Sequence, residues 1–470
     1  VLTSRGLGDV YKRQVIDIAD KGKSVAKSKS GEIVFLENAV PGDIVDVLIK
    51  RKRKGSFTGK ILKFNLKSQK RVKPICEHFG VCGGCKWQNM NYSSQLFYKE
   101  RRVHENLFRI GKIKPKTILP ILESKKIFYY RNKMEYSFSN TRWLSELEIK
   151  SKKKFTREAL GLHKKGRWDK IVDIKKCHLQ EDISNTIRNR IKKFAIENEI
   201  DFFDPYKNKG LLRNLTIKIT STKNIMVLLQ FGFKSDFIYK LLNFLKNSFE
   251  NINSILYVIN MKPNDSIYDQ KVNLFYGKDY ITEKICGLRF KITAKTFFQT
   301  NSTQAENLFY LVKKFLEPNK NDILYDLYSG IGTIGQILSK DVKKVVGIDI
   351  VEDSINFANE NSKLNNLSNT KYFSGDMKDI FTQAFIKENG KPSVTIVNPP
   401  REGIDKKVIE KIIDTKPKKI VYVSCNSSTL ARDLIIFQKT YEISKLQTID
   451  MFPHTSHVEN VVLLKQLIDV

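Results

Sequence analysis

The chain has 470 residues, 41% hydrophobic and 11% aromatic, which supplies roughly two to four apolar cores and excludes disorder throughout. Its 83 Lys and Arg against 50 Asp and Glu leave a formal net charge of +33. That surface attracts polyanions, RNA or DNA before an anionic membrane, because no long amphipathic segment is present.

No stretch is apolar for long enough to span a bilayer, and no secretory signal pattern opens the chain. Six cysteines in a chain of this length do not make a disulfide scaffold. A cytoplasmic monomer is the expectation.

Val1 to Gln14 match nothing that follows and are set aside as extraneous. Residues 15–70 read as five short strands around turns: Val15-Ile16-Asp17-Ile18, Gly31-Glu32-Ile33-Val34-Phe35, the turn Pro41-Gly42-Asp43, Ile44 to Ile49, and a strand through Ile61-Leu62 after the basic run Lys50 to Lys54. That pattern predicts a small OB-like barrel, a shape that often binds nucleic acid.

Residues 71–290 predict a central α+β domain. It opens on Cys76-x5-Cys82-x2-Cys85 in a glycine-rich loop, with Cys177 alone downstream. Four thiolates hold zinc or an iron–sulfur cluster, and spacing leaves the choice open. Two Cys-x2-Cys pairs would favour zinc, and one is present; the five-and-two spacing also departs from the three-and-two of radical enzymes. Phe79 and Trp87 flank the cluster, placed either to stack on bases or to pack against it. Lys152-Lys153-Lys154 and Lys164-Lys165-Gly166-Arg167 are either solvated faces or the lining of an RNA path. Cys286 has no partner in the pattern and reads as a core residue.

Residues 291–470 alternate apolar strands with helical patterns, which predicts a doubly wound parallel sheet of Rossmann-like type. Leu324 to Leu327 run into Tyr328-Ser329-Gly330-Ile331-Gly332-Thr333-Ile334-Gly335, a strand, a glycine turn and a helix start. Glycines there let a ligand approach the backbone at the helix N-terminus. Gly330, Gly332 and Gly335 fit the dinucleotide fingerprint literally, so a nicotinamide or flavin oxidoreductase is a rival. Asp349 ends the next apolar strand, where a carboxylate accepts both ribose hydroxyls of either cofactor class.

Two later motifs separate the rivals. Val394 to Val397 lead into Asn398-Pro399-Pro400-Arg401, and Ile420 to Val423 into Ser424-Cys425-Asn426. Both lie at strand C-terminal ends, where open α/β sheets place their chemistry. Hydride transfer needs neither a Pro-Pro turn nor a thiol there; methylation of a nucleobase uses both. Uracil C5 becomes nucleophilic once a thiolate adds to C6, and a base must then remove the C5 proton. Cys425 precedes a predicted helix from Thr429, whose amides would stabilise a thiolate. Glu459, in His457-Val458-Glu459-Asn460, enters an apolar strand, as a base or as a solvated strand edge.

Phe297-Phe298-Gln299-Thr300-Asn301, Asp326-Leu327-Tyr328-Ser329-Gly330, Asn398-Pro399-Pro400-Arg401, Ser424-Cys425-Asn426 and His457-Val458-Glu459 stand in the order seen in RNA 5-methyluridine methyltransferases. From about residue 15 to the end, the chain resembles the iron–sulfur branch of that family, which acts on 23S ribosomal RNA. The resemblance implies Cys425 as nucleophile and Glu459 as base. It implies S-adenosylmethionine held by Gln299, Tyr328, Asp349 and Asn398. It also implies a 4Fe–4S cluster on Cys76, Cys82, Cys85 and Cys177, and a TRAM domain in residues 15–70.

Two residues depart from the pattern. Asn398 replaces the usual Asp, keeping a hydrogen bond and losing a charge; Asn-Pro-Pro also resembles amino-methyltransferases, which want an aromatic where Arg401 stands. Ser427 replaces a Pro, which loosens the loop and leaves the thiol in place. Transfer RNA is the alternative substrate. Outside this chemistry stand an iron–sulfur oxidoreductase, which would carry bound nicotinamide or flavin, and a non-catalytic RNA-binding factor indifferent to Cys425→Ala.

Overall fold

The computed structural model describes residues 10–27, 31–53, 56–151 and 153–467. Strands Val10–Ile18, Ser24–Lys27, Ile33–Leu36, Ile44–Arg53 and Ser56–Leu66 pair in the order first, second, third, fifth, fourth and close into a barrel. Alternation along the strands turns Val15, Ala26, Val34, Leu36, Val45, Val47 and Ile49 inward as its core.

The first strand starts earlier than the sequence reading allowed. Val10 to Gln14 pair antiparallel with Ile44 to Leu48, so these residues belong to the barrel rather than to an extraneous leader. Tyr11 and Arg13 supply its inward face in place of aliphatic residues, which hides the period-two pattern. Val1 to Asp9, Lys54 and Lys152 lie outside the described residues.

The central sheet runs in the order Val272–Gly277, Ile252–Ile259, Ile225–Phe231, Leu212–Ile219, Lys133–Ser139, Ala159–His163, Ile171–Asp173. Its two middle strands, Leu212–Ile219 and Ile225–Phe231, are buried at every position, because both faces are covered. Helices Asp182–Glu197 and Phe237–Ser248 cover one face. On the other, Met226, Leu228, Leu256 and Val258 share a core with the hairpin Tyr280–Thr293 and helix Ser302–Leu316. The central and C-terminal units are therefore joined by packed apolar core.

The C-terminal sheet has the order Thr370–Ser374, Lys344–Asp349, Ile323–Leu327, Val394–Val397, Lys419–Ser424, Glu459–Gln466, Tyr441–Ile449, Thr117–Leu122. The first five are parallel, Glu459–Gln466 is antiparallel to Lys419–Ser424, and strand order reverses between Ile323–Leu327 and Val394–Val397. That reversal is where such sheets open a ligand crevice.

Two pieces assigned by sequence to the central region belong to this sheet. Thr117–Leu122 adds to its edge parallel to Tyr441–Ile449, and helix Tyr92–Gly111 buries Val103 and Leu107 against Leu430 and Leu434. Both contacts cross more than 300 residues of chain, so no local pattern announces them. Cys286 is not a core residue: with φ +47° beside Gly287 at +81°, it forms the two-residue turn of the hairpin and is half-buried. Among the described residues no helix is long and apolar enough to cross a membrane.

Candidate active site

Strand Ile323–Leu327 leaves the sheet through Tyr328, Gly330 and Gly332, all left-handed at φ +61°, +55° and +73°, before helix Thr333–Leu338 begins. A Cβ on Gly332 would lie 2.5 Å from the Tyr372 ring, so glycine there lets the turn close. A Cβ on Gly330 would meet nothing within 4 Å, so the space above it is open to a ligand. Beneath the turn, burial pushes the Asp326 carboxyl up to about 7, with the charge of Asp349 adding to it. Gly335 N–H donates to its Oδ2 at 2.9 Å, whereas its Oδ1 and the Ser329 hydroxyl are buried with no partner.

Asp349 closes the neighbouring strand. Its two carboxylate oxygens accept from the N–H groups of Gly330 and Val351, each at 2.9 Å, which fixes the group and leaves each oxygen further lone pairs. Ile350 beside it is 65% exposed, an apolar surface next to a hydroxyl acceptor that the sequence reading passed over. Asn398 joins the third strand end, its N–H donating to Leu327 O at 3.2 Å. Burial, then the carboxylates of Asp376, Asp405, Asp433 and Asp349, hold the Tyr328 phenol neutral. Tyr328, Asp349 and Asn398 thus stand at the carboxyl ends of three adjacent strands.

Gln299 lies off the sheet, on the loop between Thr293 and helix Ser302–Leu316. The central unit grips this loop. Asn132 donates through its side chain to Gln299 O at 2.8 Å and Ser302 Oγ at 2.9 Å, and through its N–H to Thr300 O at 2.8 Å. The buried Lys218 ammonium donates to the carbonyls of Thr293, Ala294 and Thr296 at 2.6, 3.1 and 3.3 Å. Burial pushes that ammonium down to about 7, and Lys133 adds to the shift. Neither residue was anticipated, although a lysine inside the apolar run Leu215 to Ile219 was a visible signal.

The nucleophile and base candidates meet through register. Ser424 pairs with Asn460 across the antiparallel strands, so the next residues outward, Cys425 and Glu459, face each other at the sheet's end. Asn460 Nδ2 donates to Ser424 O at 3.0 Å and holds that end shut. Glu459 is 6% exposed, which removes the solvated-edge reading, and burial pushes its carboxyl up to about 8 against the pull of Arg401. Burial and then Glu459 raise the Cys425 thiol, while the charge and hydrogen bond of the Arg401 guanidinium draw it back down.

Thiolate stabilisation was expected from amides at a helix N-terminus. The helix spans Ser427–Phe437, but Asn426 occupies its cap, accepting from Ser428 N–H at 3.1 Å, and the guanidinium of Arg401 is the cation at the sulfur. Asn426 Nδ2 and Thr429 Oγ1 anchor Arg401 by donating to its carbonyl at 2.9 and 3.1 Å. Ser427, where a loosened loop was expected, accepts a hydrogen bond from Asn106 Nδ2 at 2.9 Å.

The loop Asp450 to His457, which leads into Glu459, is held from helix Tyr92–Gly111. Lys99 and Asp450 form a fully buried ion pair at 2.6 Å, and Lys99 also donates to Phe452 O at 3.0 Å. Tyr92 OH donates to Asp450 Oδ2 at 2.9 Å, and Arg102 donates to Ser456 O. The cysteine loop reaches the same segment: Lys86 and Trp87 N–H donate to His454 O at 2.8 and 3.1 Å. Trp87 is buried, its indole N–H donating to Gly22 O of the barrel at 3.1 Å, so it packs rather than stacks on bases.

Cys76, Cys82, Cys85 and Cys177 line one cavity with Phe79, Leu162 and Ile174. Burial raises all four thiols, Cys82 and Cys85 to about 12. Gly84 N–H and Gln88 Nε2 donate to the sulfurs of Cys82 and Cys85 at 3.4 and 3.2 Å. Among the described residues no three His, Cys, Asp or Glu side chains converge as ligands of a single ion.

Residues 246–467 match the family model described as tRNA (Uracil-5-)-methyltransferase, and residues 8–62 match that of the TRAM domain. The chain is 44% identical over 453 residues to an RNA methyltransferase of Bacteroides thetaiotaomicron, covering 95% of this chain and 100% of that one. It is 42% identical to one of Porphyromonas gingivalis, covering 96% and 99%. Among solved structures, it is similar to the Pyrococcus abyssi tRNA (uracil-54, C5)-methyltransferase in complex with S-adenosyl-L-homocysteine: TM-score 0.76, 28% identity, 97% of this chain and 100% of that one.

Proposed function

This chain belongs to the RNA uracil-5-methyltransferase family, and from that premise we propose that it methylates C5 of a uridine in 23S ribosomal RNA through a covalent Cys425–C6 adduct. The observation that carries the mechanism is the cross-strand pair of half-buried Cys425 and buried Glu459, with the Arg401 charge acting on both. S-adenosylmethionine, when bound, supplies the methyl group as an electrophile on a sulfonium. Gln299, Tyr328, Asp349 and Asn398 would hold it, Asp349 by the ribose hydroxyls, and Ile350 would pack on the adenine. The open space above Gly330 and the unpaired Ser329 hydroxyl fit such a ligand.

The Cys425 thiolate, steadied by Arg401, adds to C6 of the uracil and places the electron pair on C5 and O4. C5 then attacks the methyl carbon as its bond to sulfur breaks. The Glu459 carboxylate takes the C5 proton, the C5–C6 double bond re-forms, and Cys425 leaves as thiolate. Both groups must be ionised at the start, and the proton lost from C5 passes from Glu459 to solvent.

For the four cysteines we infer a 4Fe–4S cluster, supported by their lining one cavity and by N–H donors at the sulfurs of Cys82 and Cys85. Such a cluster would tie the loop between Cys76 and Trp87, and with it His454, to the central sheet.

Transfer RNA is the second reading, favoured by the substrate of the Pyrococcus abyssi enzyme. The test is mass spectrometry of the protein after incubation with S-adenosylmethionine and 5-fluorouridine-substituted RNA. Fluorine cannot leave as a proton, so a methylated adduct accumulates on Cys425 and is absent from Cys425→Ala. Adduct on 23S fragments and not on transfer RNA supports the ribosomal substrate, and the reverse selects the transfer RNA reading. Methyl transfer to an exocyclic amine without adduct would overturn the mechanism.

A further inference from the structure

The turn between strands Ala159–His163 and Ile171–Asp173 carries Trp168 at its tip. Trp168 is 67% exposed and sits edge-on against Tyr206, itself 60% exposed, with ring centroids 5.6 Å apart at 61°. Single exposed aromatics are ordinary on a surface, but two in contact, with Tyr206 anchored through its hydroxyl, form a built feature.

The buried Asp169 carboxylate does the holding. It accepts from Arg167 Nε and a terminal guanidinium nitrogen at 2.7 and 2.6 Å and from the Tyr206 hydroxyl, while Thr141 Oγ1 donates to the Asp169 carbonyl at 2.5 Å. Lys170 lies 5.8 Å over the Tyr206 ring. The two chain segments that carry the pair also carry Lys164, Lys165, Arg167, Lys170, Lys207 and Lys209, with Arg167 and Lys170 bridged to Asp169. Lys165 is shared with Glu37 at 3.7 Å. The patch is cationic and aromatic together, the combination that takes the phosphates and bases of a single strand.

The patch is also continuous with the catalytic loop. Lys165 N–H donates to Val81 O at 3.1 Å, Gly83 N–H to His163 O at 2.9 Å, and Lys86 N–H to His454 O at 2.8 Å. The cysteine loop thus lies between the aromatic turn and the segment that leads to Glu459.

We propose that Trp168 and Tyr206 form a stacking platform for an unpaired base of the RNA substrate, outside the target uridine. The proposal rests on the reading of the chain as an RNA methyltransferase and adds where it holds a second nucleotide. A base lies on the Trp168 indole face, Tyr206 fixes that face from its edge, and the surrounding cations take the flanking phosphates.

The test is fluorescence anisotropy of fluorescein-labelled oligouridylate and of a labelled RNA duplex, titrated with the full-length protein, alongside methyl transfer by the wild type. Trp168→Ala should weaken oligouridylate binding about tenfold, and Trp168→Phe should restore most of the loss. Duplex affinity should stay unchanged, because its bases are not available to stack. The salt slope should stay that of the wild type for Trp168→Ala and become shallower for Lys164→Ala with Lys170→Ala. Equal affinities of Trp168→Ala and wild type for the single strand would overturn the platform while methyl transfer leaves the enzyme reading standing. Equal losses on duplex and single strand would also overturn it. A wild type that neither binds nor methylates RNA would sink both.

Discussion

At the scale of residues, the site turns on two acids that burial keeps protonated. The Glu459 carboxyl sits near 8 and the Cys425 thiol above its ordinary 9.0, so at neutral pH the free protein holds both protons. The proposed mechanism needs both groups ionised. Single-turnover methyl transfer should therefore climb as pH rises through 8, and a rate that is flat from pH 6 to 9 would contradict these assignments. Arg401 favours both ionised forms, so Arg401→Met should slow transfer about 100-fold and move the pH profile upward. Glu459→Gln should still form the Cys425 adduct and fail to release it, a species visible by mass spectrometry with unmodified RNA. The identities Cys425 and Glu459 were legible as a thiol and a carboxylate at the ends of apolar strands. The role of Arg401 was not: its motif was in view, but that its side chain reaches the sulfur depends on Asn426 and Thr429 anchoring its carbonyl from another strand end.

At the scale of elements, helix Tyr92–Gly111 and the central sheet hold the loop that leads to Glu459 and the loop that carries Gln299. Lys99→Met would leave Asp450 buried with Tyr92 and the Phe452 N–H but no cation. A loss of about 3–5 kcal/mol in a urea titration is expected, and a loss below 1 kcal/mol would mean the pair is wet. Lys218→Met releases three carbonyls of the loop that carries Gln299. It should raise the dissociation constant for S-adenosylhomocysteine, measured by calorimetry, about tenfold, with affinity for RNA unchanged. These supports escaped the sequence reading because Lys99 and Asp450 are 351 residues apart and Lys218 lies 75 to 78 residues from the carbonyls it holds. The strand Thr117–Leu122 escaped for the same reason, its partner being Tyr441–Ile449 at the other end of the chain.

At the scale of the molecule, the barrel, the cysteine loop and the catalytic loop meet at one junction, where Trp87 bonds to Gly22 and His454 together. His454 is buried there, and burial, then the charge of Lys99, push its imidazole down to about 4 from 6.5. Between those values the unfolded chain binds a proton that the folded one refuses. The stability tied to a neutral His454 is complete above pH 6.5 and drains away as pH falls toward 4, by roughly 3 kcal/mol. Melting temperature should drop across that window, and His454→Gln should flatten the drop. If the cysteines hold a cluster whose work is structural, Cys82→Ser should lower the melting temperature and RNA affinity together with activity. Lost activity with fold and RNA affinity intact would assign the cluster to the chemistry instead.

Local signals in the chain identify what each segment can be. Alternating apolar residues specify barrel strands, and an apolar strand running into a glycine turn specifies a ligand-binding strand end, because these signals are local in period or residue chemistry. Which groups act on one another is settled by packing between distant segments. The register that sets Cys425 against Glu459, the arginine at the sulfur, the lysines beneath the two loops and the paired aromatics at the central turn all depend on chain segments far apart in sequence. Burial by those distant segments, rather than the residues' own chemistry, is what moves the protons of the site.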